Sequence, residues 1–144
     1  MMTQTDLKIR LQNFMDVIWN SGDFSKLTDY VSQQYTILHD PGDAWEGQTL
    51  DHDTFAERVM YSRNAFPDLK FDIQEMVADQ SRVVAFWIMS GTHEGDLDNL
   101  PKTGKSFSIS GITIYEFDKG SKICSHTQAY DRLGFMAQMG LLGG

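Results

Sequence analysis

From Asp68 onward the apolar residues of this chain recur at every second position, and that period constrains the fold more than any other feature. Leu69, Phe71 and Ile73 alternate with Lys70, Asp72 and Gln74, which predicts a half-buried strand running to Ala78. Arg82–Thr92 reads as a longer strand with apolar residues on both parities, and Ser106–Phe117 and residues 122–130 read as two more. The polar turns Asp79-Gln80-Ser81 and Asp118-Lys119-Gly120 separate neighbours as hairpin turns do. A polar loop from Glu94 to Lys105 joins the middle pair. Successive strands joined in this way make an antiparallel meander with residues 83–131 at its centre.

The chain before Asp68 follows helical spacing. Thr3 with Asp6 forms a capping box, after which Leu7, Leu11, Phe14 and Ile18 make one apolar face. Ser21-Gly22-Asp23 stops this helix, and Phe24, Leu27, Tyr30 and Val31 make a second, shorter one. A strand is expected over residues 34–39, followed by the turn Asp40-Pro41-Gly42-Asp43. Thr54 with Glu57 reads as another capping box, opening a helix whose face is Phe55, Val59, Ser62 and Phe66 and which Pro67 ends. Leu133, Met136 and Met139 close the chain as a short helix ending at Gly140. Helices first and a meander afterwards imply an α+β fold with the helices packed on one face of a bent sheet. Such a sheet leaves a conical hollow, a usual ligand site.

At 144 residues the chain fits one domain spanning 1–144. Nine Phe and eight Met supply a soft apolar lining suited to an apolar ligand as well as to a core. A net charge of −8 without a Lys/Arg cluster argues against nucleic acid and against an anionic membrane surface. No run approaches membrane-spanning length and the N-terminus lacks a signal-peptide apolar stretch, so a cytoplasmic location is expected. Cys124 is alone and reads as a buried inert thiol. His39, His52, His93 and His126 show no metal-ligand spacing, and no Gly-rich phosphate loop or nucleophile elbow is present, so neither a metal nor a cofactor is expected.

Acid/base work in the pocket remains. Asp131 ends the last strand and shares a face with Thr127 and Ala129; it is either a desolvated carboxylate at the cavity rim or the cap of the closing helix. His93 either shuttles a proton and holds a ligand oxygen or is a satisfied structural histidine. Trp87 and Met89 share the strand face of His93, and Val84, Phe86 and Ile88 the other. Tyr115 offers a phenol to a carbonyl oxygen or packs as a strand aromatic. His39 is placed equally well in the pocket or in solvent. His126, on the opposite parity to Asp131, is expected on the outer face of the sheet or at an interface. Phe55, Val59, Met60, Trp87, Met89, Tyr115, His39 and Thr127 form the expected substrate wall.

Several segments resemble the SnoaL-like polyketide cyclase (ester cyclase) family, within the nuclear-transport-factor-2-like superfamily. They are Phe66-Pro67-Asp68-Leu69, Gly91-Thr92-His93, Thr103-Gly104-Lys105, the Asp118 to Ile123 hairpin, Asp131-Arg132-Leu133-Gly134 and Gln138-Met139-Gly140. The resemblance implies a cone-shaped α+β barrel, with N-terminal helices packed on a strongly curved, mostly antiparallel sheet, a conical cavity and cofactor-independent chemistry. In the founding members an aspartate at the position of Asp131 acts as acid/base in an intramolecular aldol closure. Where members usually carry Glu-His-Trp this chain has Ser125-His126-Thr127, and Lys102 stands for the usual second proline. Loss of the Trp at Thr127 is expected to open space beside Asp131. The function implied is cyclase-type acid/base chemistry (aldol cyclisation or a related isomerase or lyase step) on a small apolar carbonyl compound. The alternative is a non-catalytic small-molecule-binding domain. Apolar residues on both parities of the central strands imply that a second copy covers the sheet, giving a homodimer.

Overall fold

The computed structural model describes residues 2–142. Helix α1 (Gln4–Phe14) starts at the expected capping box, with Thr3 and Asp6 satisfying each other's backbone N–H. The helix does not continue regularly to Ile18. Met15–Trp19 forms a π turn, closed by Asn20 N–H on the Met15 carbonyl at 2.8 Å. That wider turn buries Met15, Ile18 and Trp19 together. Arg63 ties the turn to the sheet by donating to the Trp19 and Leu69 carbonyls at 2.8 and 3.2 Å.

After α2 (Leu27–Tyr30) come strand β1 (Val31–His39), the two-residue β2 (Thr49–Leu50) and helix α3 (His52–Ala65). Helix α3 begins one turn earlier than the Thr54/Glu57 pattern suggests. Asp51 is the true cap and accepts from Thr54 N–H at 2.8 Å, so Thr54 lies inside the first turn. Strands β3 (Lys70–Asp79), β4 (Arg82–Thr92), β5 (Ser106–Phe117) and β6 (Ile123–Tyr130) follow, with α4 (Arg132–Gln138) at the end. The six strands form one sheet in the order β2-β1-β6-β5-β4-β3. Only β1 and β6 run parallel, and the sheet is otherwise antiparallel. Among the described residues no helix is long and apolar enough to cross a membrane.

On β4 the side chains of Val83, Ala85, Trp87 and Met89 face the helices, and Val84, Phe86 and Ile88 face away, as alternation requires. The core lies between this inner face and α1, the π turn and α3, where Leu11, Phe14, Ile18, Phe55, Val59 and Ile123 are sealed from solvent. Burying each such side chain contributes about 1.5–3 kcal/mol.

Opposite Trp87 on β5 stands Gly111, and a Cβ there would lie 2.3 Å from the indole. The missing side chain lets the indole lie across the strand, where its N–H donates to Thr113 Oγ1 at 2.8 Å. Gly111→Ala must displace a buried, hydrogen-bonded ring. Urea unfolding should show a loss of about 1–3 kcal/mol. A change below about 0.5 kcal/mol would mean that the indole moves aside freely.

Candidate functional site

Between the inner face of the sheet and the helices lies a cavity of about 380 Å³. The π turn gives it Trp19, β3 Phe71, β4 Trp87 and Met89, and β6 Gln128 and Tyr130. Helix α3 supplies Arg58, Tyr61 and Ser62, the turn after β1 supplies Asp40, Asp43 and Trp45, and α4 supplies Arg132, Phe135 and Met136. All three tryptophans of the chain therefore line one hollow. A wider depression of about 600 Å³ along β2 is lined by Gln33, Gln34 and residues 49–53. Most of those side chains are exposed, and it lacks a desolvated charged group.

The aromatic cavity is polar at one end. Asp40 and Arg58 are 1% and 6% exposed and form an ion pair, with Arg58 Nη2 donating to Asp40 Oδ2 at 3.1 Å. Asp43 Oδ2 accepts from both Nε and Nη2 of Arg58, at 3.0 and 2.8 Å. Burial alone would lower the guanidinium pKa, but Asp43, Tyr35 and Asp40 outweigh it and raise it. The Trp19 ring lies 5.3 Å from Arg58 Cζ. Nη1 makes no hydrogen bond among the described residues and is not sealed from solvent. It is the donor this end leaves free.

Asp40 also accepts from His126 Nε2 at 2.8 Å and from Gln128 Nε2 at 3.3 Å. The chain extends on both sides. Gln128 Oε1 accepts from Thr113 Oγ1, and Thr113 Oγ1 accepts from the Trp87 indole, each at 2.8 Å. On the other side His126 Nδ1 meets the hydroxyl of buried Tyr35. Burial lowers the His126 pKa, with the Arg58 charge acting in the same direction and the Asp40 hydrogen bond opposing it. Burial likewise raises Tyr35 well above the usual phenol value.

The local sequence explains these placements. The turn after β1 reverses tightly, with Gly47 N–H on the Ile37 carbonyl at 2.9 Å and Glu46 accepting from Asp40 N–H at 2.7 Å. It thereby folds Asp40 and Asp43 under the sheet, onto Arg58. Arg58 lies three residues beyond Phe55 and so shares its inward face. On β6, Glu116 faces Ser125 but Phe117 faces Ile123, so Cys124 is an extra residue in the ladder. Beyond this bulge His126, Gln128 and Tyr130 turn inward.

Of the residues expected in the site, Trp87 and Met89 line the cavity. Asp131 flanks it without lining it. Its carboxylate accepts from Gly134 N–H at 2.8 Å as the cap of α4 and is exposed, while its neighbours Tyr130 and Arg132 face the hollow. Thr127 and Ala129 lie opposite the outward Ile114 and Ile112, so the face they share is the outer one. The missing Trp at Thr127 therefore opens no space in the cavity. His126, expected outside, is instead 2% exposed beneath Asp40, because Thr127 and Ala129, and not His126, take the outer face of β6.

His93 is fully buried, stacks near Phe66 and accepts at Nδ1 from Thr103 N–H at 3.2 Å, away from the cavity. Its Nε2 has no partner among the described residues. Tyr115 is buried with its hydroxyl on Met15 Sδ at 3.6 Å, and burial pushes it up to about 12. Phe55 and Val59 belong to the core, whereas Met60 and His39 are exposed. Cys124 is half-buried and desolvation raises its thiol pKa.

The sequence profile of the SnoaL-like polyketide cyclases matches residues 9–139. The chain belongs to that family. Among solved structures it is similar to a proposed polyketide cyclase from Acidithiobacillus ferrooxidans, at 40% identity over 99% of this chain and 100% of the other, with a TM-score of 0.88. TsrD from Streptomyces laurentii shares the fold at 22% identity, covering 99% and 100% of the two chains, with a TM-score of 0.82. IdmH from Streptomyces antibioticus, a proposed polyketide cyclase, does so at 22% identity, 93% and 98% coverage and a TM-score of 0.78. No curated protein matches the chain. The nuclear-transport-factor-2-like fold expected for the family is the one observed.

The buried histidine gives the site a pH signature. Because the folded His126 pKa lies below the ordinary 6.5, an unfolded chain takes up a proton that the folded one refuses. This contribution is intact above that value and is lost as pH falls through it toward the folded pKa. Urea unfolding along a pH series should show stability falling in this window, and His126→Gln should flatten the fall. An unchanged slope would remove the inference.

Proposed function

We propose that this SnoaL-like protein carries out cofactor-independent acid/base chemistry on a small apolar carbonyl compound held in the aromatic cavity. One observation carries the reading: a buried carboxylate, Asp40, and an incompletely paired guanidinium, Arg58, stand against the same apolar hollow. Asp40 takes a proton from the carbon next to a ligand carbonyl. The electron pair moves onto the carbonyl oxygen, and Arg58 Nη1 donates to the enolate as it forms. The enolate carbon attacks a second carbonyl of the same molecule, and the resulting alkoxide takes the proton back from Asp40. The product is an isomer of the substrate, and neither oxidant nor cofactor enters the balance.

The test begins with a panel of small β-keto esters bearing a second carbonyl, monitored by the fluorescence of the three cavity tryptophans and by product analysis. Asp40→Asn should keep binding within a few-fold and lower turnover by about 10²–10⁴. Asp131→Asn keeps a competent helix cap and should change turnover little. Wild-type turnover in Asp40→Asn would overturn the assignment.

The engagement of Asp131 as a cap favours a second reading, ligand binding without turnover. Compounds that bind the wild type tightly and emerge unchanged would support it.

The expected homodimer remains a proposal, and the sheet supplies its surface. Phe86 and Val84 pair with Ile112 and Ile114 across the outer face, where Phe86, Ile112 and Ile114 are exposed within the chain. A second copy meeting this face covers it about a two-fold axis. Light scattering after size exclusion should give twice the chain mass of 16.4 kDa, and Ile112→Lys should give one. A wild-type monomer would end the proposal.

A further inference from the structure

We infer that Tyr35 and His126 are positioning residues for Asp40: Tyr35 fixes the imidazole with its hydrogen on Nε2, and that N–H turns the carboxylate so that Oδ1 is left to face the ligand. The inference rests on the acid/base reading of Asp40 for its purpose, but its geometry stands apart from that reading.

Two contacts set the tautomer. The Tyr35 hydroxyl is buried and meets one partner among the described residues, His126 Nδ1. Were Nδ1 to carry the hydrogen, the buried hydroxyl's own hydrogen would meet no acceptor among the described residues, so the phenol donates and Nδ1 is the bare nitrogen. At the other end Nε2 lies 2.8 Å from Asp40 Oδ2. A bare Nε2 there would set two lone pairs against each other, whereas an Nε2–H makes a hydrogen bond. Both ends require the same tautomer, with the ring neutral.

The groups facing the ring agree with a neutral form. Tyr35 and Tyr115 lie on either side with ring centroids 5.6 and 6.3 Å away, and the Arg58 guanidinium is on the same carboxylate as His126. Asp40 and Asp43 face it with opposite charge, but Arg58 lies between them and is paired to both. His126 thus acts as a fixed donor. It does not carry the proton itself.

The consequence falls on the two oxygens of Asp40. Oδ2 receives His126 Nε2 at 2.8 Å, Arg58 Nη2 at 3.1 Å and Gln128 Nε2 at 3.3 Å. Oδ1 receives only the 3.3 Å contact from Gln128. The crowded oxygen has no lone pair left for a substrate. Proton exchange with the ligand therefore runs through Oδ1. Removing the His126 donor frees the carboxylate to rotate, and the two oxygens lose their distinct roles.

Long-range proton–nitrogen NMR on the isotope-labelled protein, which needs no ligand, tests this. His126 is assigned by the signal that His126→Gln removes. If that variant does not fold, single substitutions of His39, His52 and His93 assign it by exclusion. The expected spectrum has a protonated Nε2 and a bare Nδ1 at neutral pH. In Tyr35→Phe, Nδ1 loses its donor, so its resonance should move and the ring should begin to populate the other tautomer or titrate within about pH 5–8. A wild-type Nδ1–H tautomer, an imidazolium at neutral pH, or a Tyr35→Phe spectrum identical to wild type would each overturn the inference. None of these outcomes bears on whether Asp40→Asn loses turnover, so the two readings fail separately.

Discussion

The arrangement depends on a guanidinium held between two carboxylates in a nearly dry place. Desolvating Arg58 is unfavourable, and Asp43 and Asp40 offset it only because the turn after β1 brings both to the same helix face. Removing either carboxylate would leave the buried guanidinium with one partner in place of two. The turn, helix α3 and strand β6 are thus locked to one another by a polar contact, where apolar packing would have tolerated slippage. That lock fixes where the cavity has its polar end. It also gives a hollow walled by three tryptophans a charged end.

A second constraint comes from the opposite wall. The π turn at Met15–Trp19 adds a residue to the helical ladder and swings Trp19 over Arg58 and against Phe71, whose ring centroid is 5.4 Å away. Asn20 then pairs with the backbone of Phe71 at 2.7 and 3.0 Å, fastening the turn to the sheet. Irregular helix and edge strand therefore act as one piece. Gly111 completes the shape by giving the Trp87 indole room to lie across β5.

Much of this fold was legible in the chain. Strand β3 follows from period-two alternation, β4 from its continuous apolar run, β5 from the turn residues beside it, and α1 from its capping box. The site was far less legible, for three local reasons. Asp40-Pro41-Gly42-Asp43 has the composition of a solvated turn, and nothing in it announces that both carboxylates fold inward. Arg58 sits in a helix whose sequence pattern, Phe55, Val59, Ser62 and Phe66, is complete without it. Strand β6, ICSHTQAY, does not alternate apolar and polar residues, so nothing in it says which parity faces inward, and the bulge at Cys124 breaks any count from its first residue. Asp131 was visible because it ends a strand. What it does there is cap the helix that follows, since the sheet stops one residue earlier.

The alternation of β4 and β5 has a consequence for how the molecule can respond. Trp87 points into the hollow and Phe86 and Ile88 point out, so a single thickness of backbone separates the cavity wall from the exposed apolar face. A ligand that alters the twist of these strands alters the shape of the outer face in the same step. If anything docks there, linkage makes the effect mutual: occupancy inside changes affinity outside by the same factor as the reverse. The sheet is in that sense a thin diaphragm, with neither side adjustable on its own.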